Sequence, residues 1–263
     1  MWSVHSLLLL DNLNMKTKRL VKNVLSRNTG NPMRNYSIIL CNFFSIMYIV
    51  CVMDNNFIVK DGWVFIGFFL LLVAVGLLIK HGYILYIPSI VLLVFVMWFF
   101  RNPERHSPAG DHIVSPADGT VIKIVKNGKY EQFMGKEAVC VSIFMSVLNV
   151  HVNRSPVNGV VIDKQYHPGM FHIASVDKAS EFNEQTALFL QDDKGRKLVV
   201  VQIAGSVARR IVCNVDKGSK MTTGQRYGMI KLGSRLDVYV EPDRDIKVRI
   251  GDKVTAGETI IAV

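Results

Sequence analysis

Lys231-Leu232-Gly233-Ser234-Arg235-Leu236-Asp237-Val238-Tyr239-Val240 reads as a β-strand entered through a glycine. Leu236, Val238 and Val240 alternate with Arg235, Asp237 and Tyr239, the two-residue period of a strand with an apolar face. Gly233 lets another group approach the backbone closely. The hydroxyl of Ser234, directly after it, can reach back to the Gly233 carbonyl. Gly-Ser pairs also stand at Gly205-Ser206 and Gly218-Ser219, so the dipeptide alone decides nothing and its surroundings must choose.

Outward from this strand the second half of the chain keeps one texture. Short β-branched segments, Val121–Val125, Ala138–Phe144, Gly159–Lys164, Leu198–Ile203 and Thr259–Val263, are separated by turn residues and little helix is expected among them. The end of the chain, Ile246 to Thr259, reads as strand, Gly-Asp turn, strand, Ala-Gly-Glu turn and strand, similar to the hairpin ending of lipoyl and biotinyl carrier domains. Ser115-Pro116-Ala117-Asp118-Gly119-Thr120-Val121 opens the domain in the same idiom. The expected architecture is a mostly β (α+β) barrel-like sandwich resembling lipoyl and biotinyl hybrid barrels.

The first hundred residues are different. Trp63 to Ile79 and Tyr83 to Phe100 are nearly charge-free runs joined by Lys80-His81-Gly82, each about long enough to cross a bilayer. They predict an N-terminal transmembrane or re-entrant helical hairpin with aromatic residues at its ends. Lys60, Arg101 and Arg105 weight the outer flanks with positive charge, which puts both ends, and the domain that follows, in the cytoplasm. Residues 1–60 are expected to be a flexible extension carrying one more apolar run, Ile38 to Met53, with Met53 an alternative start. The predicted organisation is therefore 1–60 extension, 61–100 hairpin and 101–263 catalytic domain.

A net charge of +10 points to an anionic partner. Beside apolar spans that partner is a phospholipid surface rather than nucleic acid, since no basic recognition element interleaved with aromatics is present. Cys41, Cys51, Cys140 and Cys213 show no ligand spacing, so neither a zinc site nor a disulfide framework is expected.

Three groups are candidates to activate Ser234. Asp118 lies in a turn at the mouth of a strand, where most aspartates cap the turn. His151 lies between Val150 and Val152, suited either to a core position or to general-base work near neutral pH. His167-Pro168-Gly169 carries another imidazole in a turn. A carboxylate, an imidazole and a serine form the general activated-nucleophile set. Attack on an external ester would make a serine hydrolase. Attack on the Gly233 carbonyl would turn the peptide bond into an ester, and elimination with hydrolysis would leave a pyruvoyl group.

Taken in order, the hairpin, Ser115-Pro116-Ala117-Asp118-Gly119, Val150-His151-Val152-Asn153-Arg154, His167-Pro168-Gly169, Asp177-Lys178-Ala179-Ser180, Ala204-Gly205-Ser206-Val207-Ala208-Arg209-Arg210-Ile211 and Gly228 to Arg235 resemble the short prokaryotic type of phosphatidylserine decarboxylase proenzyme. The resemblance covers about residues 55–263 and selects Gly233-Ser234 as the cleaved pair. It implies self-cleavage into a beta chain, 1–233, and an alpha chain, 234–263, that stay associated. It also implies a covalent pyruvoyl group from Ser234 that forms a Schiff base with the serine amine of phosphatidylserine and replaces pyridoxal phosphate, with no metal. His151 is then the base and proton donor, with Asp118 as its partner. His167, Phe171, Lys178, Arg154 and Arg209 are candidate substrate contacts. The implied place is the cell membrane with the catalytic domain on its cytoplasmic side, and a homodimer stays open. Longer family members carry a second histidine where this chain has Arg154. On the residues alone, a membrane-tethered lipoyl-like adaptor and a membrane serine hydrolase using the same Ser234, His151 and Asp118 remain alternatives.

Overall fold

A computed structural model describes residues 57–79, 81–127, 129–169, 183–205, 210–231 and 233–263. The expected extension and the run Ile38 to Met53 lie outside them. The described residues form two compact units, one made by Gly67–Val91 and the other by residues 57–66 with Leu92–Val263.

Two apolar helices, α1 (Trp63–Leu78) and α2 (Tyr83–Phe99), are joined by a tight turn in which His81 takes a positive φ of 65°. Neither carries an acidic or basic residue in its end turns. Val64, Phe68, Leu71, Ile84, Val91 and Val94 are all exposed, and a helix apolar all round and open on its surface suits lipid better than water. Lys60–Leu78, which includes a short 3₁₀ turn, is long and apolar enough to cross a membrane.

The second unit is built from strands. Along the chain they are β1 (Ile113–Val114), β2 (Gly119–Asn127), β3 (Ala138–Met145), β4 (Val152–Arg154), β5 (Gly159–His167), β6 (Gln185–Asp192), β7 (Lys197–Ile203), β8 (Ile211–Cys213), β9 (Lys220–Met221), β10 (Arg226–Ile230), β11 (Ser234–Val240), β12 (Lys253–Val254) and β13 (Ile260–Ala262). The only described helix among them is the single turn α3 (Glu131–Met134). Eight strands form one antiparallel sheet in the order β12-β2-β3-β11-β7-β6-β5-β9; β4-β10-β8 and β1-β13 form two smaller ones. The large sheet is covered on both faces. Val141, Ile143, Leu198, Val200, Leu236 and Val238 enter one apolar cluster, while Cys140, Val199, Val201, Ile203 and Tyr239 enter another. Strands buried on both faces lose the alternation that marks a half-exposed strand, which is why Gln185–Asp192 did not stand out in the sequence.

The β-unit is an internal duplication about a pseudo-two-fold axis. Ser115-Pro116-Ala117-Asp118-Gly119 and Ser155-Pro156-Val157-Asn158-Gly159 are the same turn twice: each serine Oγ donates to the carbonyl two residues on at 2.7 Å. The two turns bond to each other, Val114 N–H to Pro156 O and Arg154 N–H to Pro116 O. Each opens a long strand, β2 or β5, with a register shift at the matching place, Val121/Lys123 and Val161/Asp163. Gly251-Asp252-Lys253-Val254-Thr255-Ala256-Gly257-Glu258 likewise repeats Gly218-Ser219-Lys220-Met221-Thr222-Thr223-Gly224-Gln225, and these segments pair β12 with β2 and β9 with β5. The central strands β7 and β11 exchange across the axis, with Val200 opposite Val238. Gly195-Arg196 and Gly233-Ser234 are therefore equivalent, and both glycines have positive φ, 82° and 60°.

Two expectations are corrected. The strand expected over Lys231–Val240 begins only at Ser234, because Arg226–Ile230 belongs to a different sheet and Gly233 turns the chain between them. The C-terminal stretch is not a continuous hairpin. β12 pairs with β2, β13 pairs with β1, and Ile246 touches Ala262 through one isolated bridge.

Candidate active site

Ser234 is the first residue of β11 and pairs with Met145, the last of β3; Leu236, two residues on, pairs with Gln202 of β7. Residues opposite each other in an antiparallel pair, and residues two apart on a strand, share a face. Met145, Ser234, Leu236 and Gln202 thus line one surface of the sheet. Asn153 of β4 lies over it: its Nδ2 donates to Met145 Sδ at 3.8 Å and its Oδ1 accepts from Gln202 Nε2 at 2.8 Å. Those partners lie on the two strands that flank β11, so the Asn153 amide spans β11 on the face that carries Ser234. Ser234 is fully buried, and among the described residues its Oγ has no hydrogen-bond partner.

His151 directly precedes β4, two residues before Asn153. A tight turn links it to Met145, with Asn149 Oδ1 accepting from Ser146 N–H at 2.9 Å and Ser146 Oγ at 2.6 Å. The imidazole is fully buried against the Phe99 ring, centroids 4.3 Å apart. Nδ1 lies 2.9 Å from the Asn149 carbonyl oxygen, and Nε2 is buried without a partner. Burial pushes the imidazole pKa down to about 4, helped by the Arg101 guanidinium and opposed by the Asn149 hydrogen bond. The side chain is thus a neutral base at neutral pH.

Asp118 is not joined to His151. Its Oδ2 takes Arg105 Nη2 at 2.9 Å and its Oδ1 takes the Ala256 N–H at 2.8 Å. In the repeat, Asn158 Oδ1 accepts the Thr223 N–H at 2.8 Å, so this bond is a turn cap that a neutral amide also makes. Burial raises the Asp118 pKa against the Ala256 hydrogen bond and the Arg105 charge. Direct orientation of the imidazole by a carboxylate is replaced by the Asn149 carbonyl.

Arg154 is also reassigned. It is buried, and its guanidinium donates to Gly224 O, Pro103 O and Asn102 Oδ1 at 2.9, 2.7 and 3.3 Å, which leaves it a strut between segments rather than a cation for a headgroup. Burial and the neighbouring Arg226 and Arg105 charges lower its pKa to about 10. His167 ends β5, exposed. Phe171, Lys178 and Arg209 lie outside the described residues. Lys231, just ahead of the Gly233 turn, holds Asp61 at 3.1 Å.

The other face of β11 carries Arg235, whose Nε and Nη2 bind the Asp237 carboxylate at 2.7 and 2.9 Å while Nη2 also reaches Ser142 Oγ at 2.9 Å. The pair is buried, and Arg235 Nη1 has no partner. No group of three or more metal-ligating side chains occurs among the described residues.

Sequence reasoning passed over Asn153, Gln202 and Asn149. The signal was available in the duplication: Asn153 stands where the other copy has Ile113, and Gln202 where it has Val240, both apolar core residues.

The phosphatidylserine decarboxylase family profile matches residues 92–262. A Geobacter metallireducens protein named phosphatidylserine decarboxylase proenzyme is 44% identical over 215 residues, spanning 80% of this chain and 98% of its own. A protein of the same name from Syntrophus aciditrophicus is 44% identical over 207 residues, 78% of this chain and 96% of its own. Another from Geobacter sulfurreducens is 46% identical over 175 residues, 66% and 79%.

Proposed function

The chain belongs to the phosphatidylserine decarboxylase family and is an enzyme of that type, and on that premise we propose that it converts phosphatidylserine to phosphatidylethanolamine with a pyruvoyl group made from its own Ser234. The observation that carries this reading is the pairing of a buried, unpartnered Ser234 hydroxyl with a positive-φ glycine directly before it, at the junction of two sheets. A buried hydroxyl left without a partner costs free energy, and the family chemistry supplies the reason to keep one there.

Self-cleavage uses this chain's residues. Ser234 Oγ attacks the Gly233 carbonyl carbon while His151 Nε2 takes the hydroxyl proton. The Gly233–Ser234 C–N bond breaks, the nitrogen takes a proton, and an ester replaces the amide. Loss of the Ser234 Cα proton expels the Gly233 carboxylate, and water then releases the nitrogen as ammonia. The Ser234 side chain is buried, and Met145, Asn153 and Gln202, bonded to one another, lie on the same face of the sheet.

Once formed, the pyruvoyl group supplies the electron sink that loss of CO2 requires. His151 stays beside it, its ring held by Asn149 O and Phe99, to deliver a proton to the product carbon. Asp118 supports this indirectly, since its charge offsets the Arg101 and Arg105 charges around the site. The exposed apolar helices α1 and α2 support anchoring in a phospholipid bilayer, with the flanking Lys60, Arg101 and Arg105 favouring the cytoplasmic side of the cell membrane.

The test is the intact mass of the purified protein under denaturing conditions, with phosphatidylethanolamine production from phosphatidylserine vesicles measured alongside. Two chains, 1–233 and 234–263, the second with a blocked start, are expected, and a single uncut chain for Ser234→Ala. An uncut wild-type chain that still turns over lipid would overturn the assignment.

A further inference from the structure

Resting on the self-cleavage reading, we propose that Asn153 is a catalytic residue of that step: its Nδ2–H stabilises the negative charge that develops on the Gly233 oxygen when Ser234 Oγ attacks, and Gln202 holds the Asn153 amide in the orientation that allows it.

The geometry points to this in three steps. Asn153 spans β11 on the face that carries Ser234, touching Met145, the cross-strand neighbour of Ser234, and Gln202, the cross-strand neighbour of Leu236. Its orientation is fixed from behind. Gln202 Nε2 has two acceptors, Asn153 Oδ1 at 2.8 Å and Val212 O at 3.3 Å, so the Gln202 amide must donate toward Asn153. That commits Asn153 Oδ1 as acceptor and turns Nδ2 toward Met145, the residue paired with Ser234. Among the described residues the partner of Nδ2 is a thioether sulfur at 3.8 Å, a weak acceptor. An amide NH2 has two protons, so donor capacity is left in a buried place beside Met145, which pairs with Ser234, the residue directly after the carbonyl where charge appears.

The duplication gives an independent reason. Ile113 and Val240, the counterparts of Asn153 and Gln202, both belong to the apolar core, and an apolar pair would fill this volume without buried amides. Instead two amides stand here, bonded to each other, and Gln202 Oε1 stays unpartnered. Polar groups that break a fold's own repeat mark function rather than packing. The other copy of the glycine turn, Gly195-Arg196, has no serine and no such pair of amides, consistent with one reactive junction of the two.

The experiment follows cleavage of newly synthesised full-length chain by denaturing gel and intact mass, together with the melting temperature of each uncut form on a Ser234→Ala background. Asn153→Asp keeps shape and the acceptor toward Gln202 but removes the donor; cleavage about 10²–10³-fold slower is expected, the cost of one lost oxyanion donor. Gln202→Met removes the hold on the amide together with the weaker bond to Val212 O, and cleavage of the folded fraction about tenfold slower is expected, with lowered melting. A merely structural role would move melting and leave the rate of the folded fraction alone. Cleavage of Asn153→Asp at the wild-type rate overturns the proposal. Should that variant not fold, Gln202→Met decides: slowed cleavage of its folded fraction supports the proposal and an unchanged rate overturns it. A wild-type chain that never splits at Gly233–Ser234 overturns the self-cleavage reading itself, which is a different result.

Discussion

Nδ1 of His151 lies 2.9 Å from the carbonyl oxygen of Asn149, and because a carbonyl can only accept, the ring proton sits on Nδ1 and the Nε2 lone pair is free. A backbone atom thereby fixes the tautomer that a carboxylate fixes in other activated-nucleophile sites. His151→Gln preserves a hydrogen-bonding side chain but no usable base. Self-cleavage is expected to fall by about 10²–10⁴-fold, read as accumulation of uncut chain in a time course by intact mass.

The same burial sets a pH dependence of stability. The folded pKa of His151 is about 4, below the ordinary 6.5, so between these values the unfolded chain binds more protons than the folded one. The contribution is complete above pH 6.5, declines as pH falls, and is gone below about 4. The shift corresponds to a contribution on the order of 3 kcal/mol. Melting of the uncut Ser234→Ala form is expected to drop over this window, and the drop should shrink in a Ser234→Ala, His151→Leu double variant.

Asp118→Asn separates cap from charge. Asn158 already makes the equivalent turn bond with a neutral amide, so the turn is expected to survive and melting to change by about 1 kcal/mol or less, the scale of a partly exposed ion pair lost to Arg105. The Arg101 and Arg105 charges then act without compensation. Slower self-cleavage is expected, by less than His151→Gln causes, in a side-by-side time course.

Arg235→Met leaves the Asp237 carboxylate buried without its cation. Destabilisation of about 3–5 kcal/mol is expected, with most of it recovered in an Arg235→Met, Asp237→Leu double variant. Urea unfolding of the Ser234→Ala background measures both.

Gly228→Ala tests the support of the site. An added Cβ would stand 2.2 Å from Val212 O and 3.0 Å from Gln202 Nε2. Overpacking of this kind costs about 1–3 kcal/mol. Because the clash falls first on Val212 O, itself an acceptor for Gln202, and then on Gln202 Nε2, cleavage is expected to slow along with the loss of stability, both visible in the same melting and gel experiments.

The apolar spans, the alternation through Leu236, Val238 and Val240, and the glycine ahead of Ser234 are written in residue type and order, because helix and strand periods and left-handed turns depend on local chemistry. Those features determined the β-rich domain, the apolar helices and the serine worth asking about. The duplication came out only with the sheet order, which pairs the two Ser-Pro-x-x-Gly turns and the two Gly-x-Lys-x-Thr-x-Gly segments as equivalents. β6 was not legible either, since a strand buried on both faces carries no alternation.

Only the tertiary structure decided who touches whom. Asp118 and Arg154 looked like reactive or substrate-binding charges, yet the fold closes each onto a turn or a backbone carbonyl, because a buried charge must find partners wherever packing brings them. Asn149, Asn153 and Gln202 looked ordinary, yet strand register sets them around His151 and Ser234. The sequence determined which groups exist and which local shapes they favour; pairing across strands distant in the chain, which no local preference specifies, determined which of them make a site.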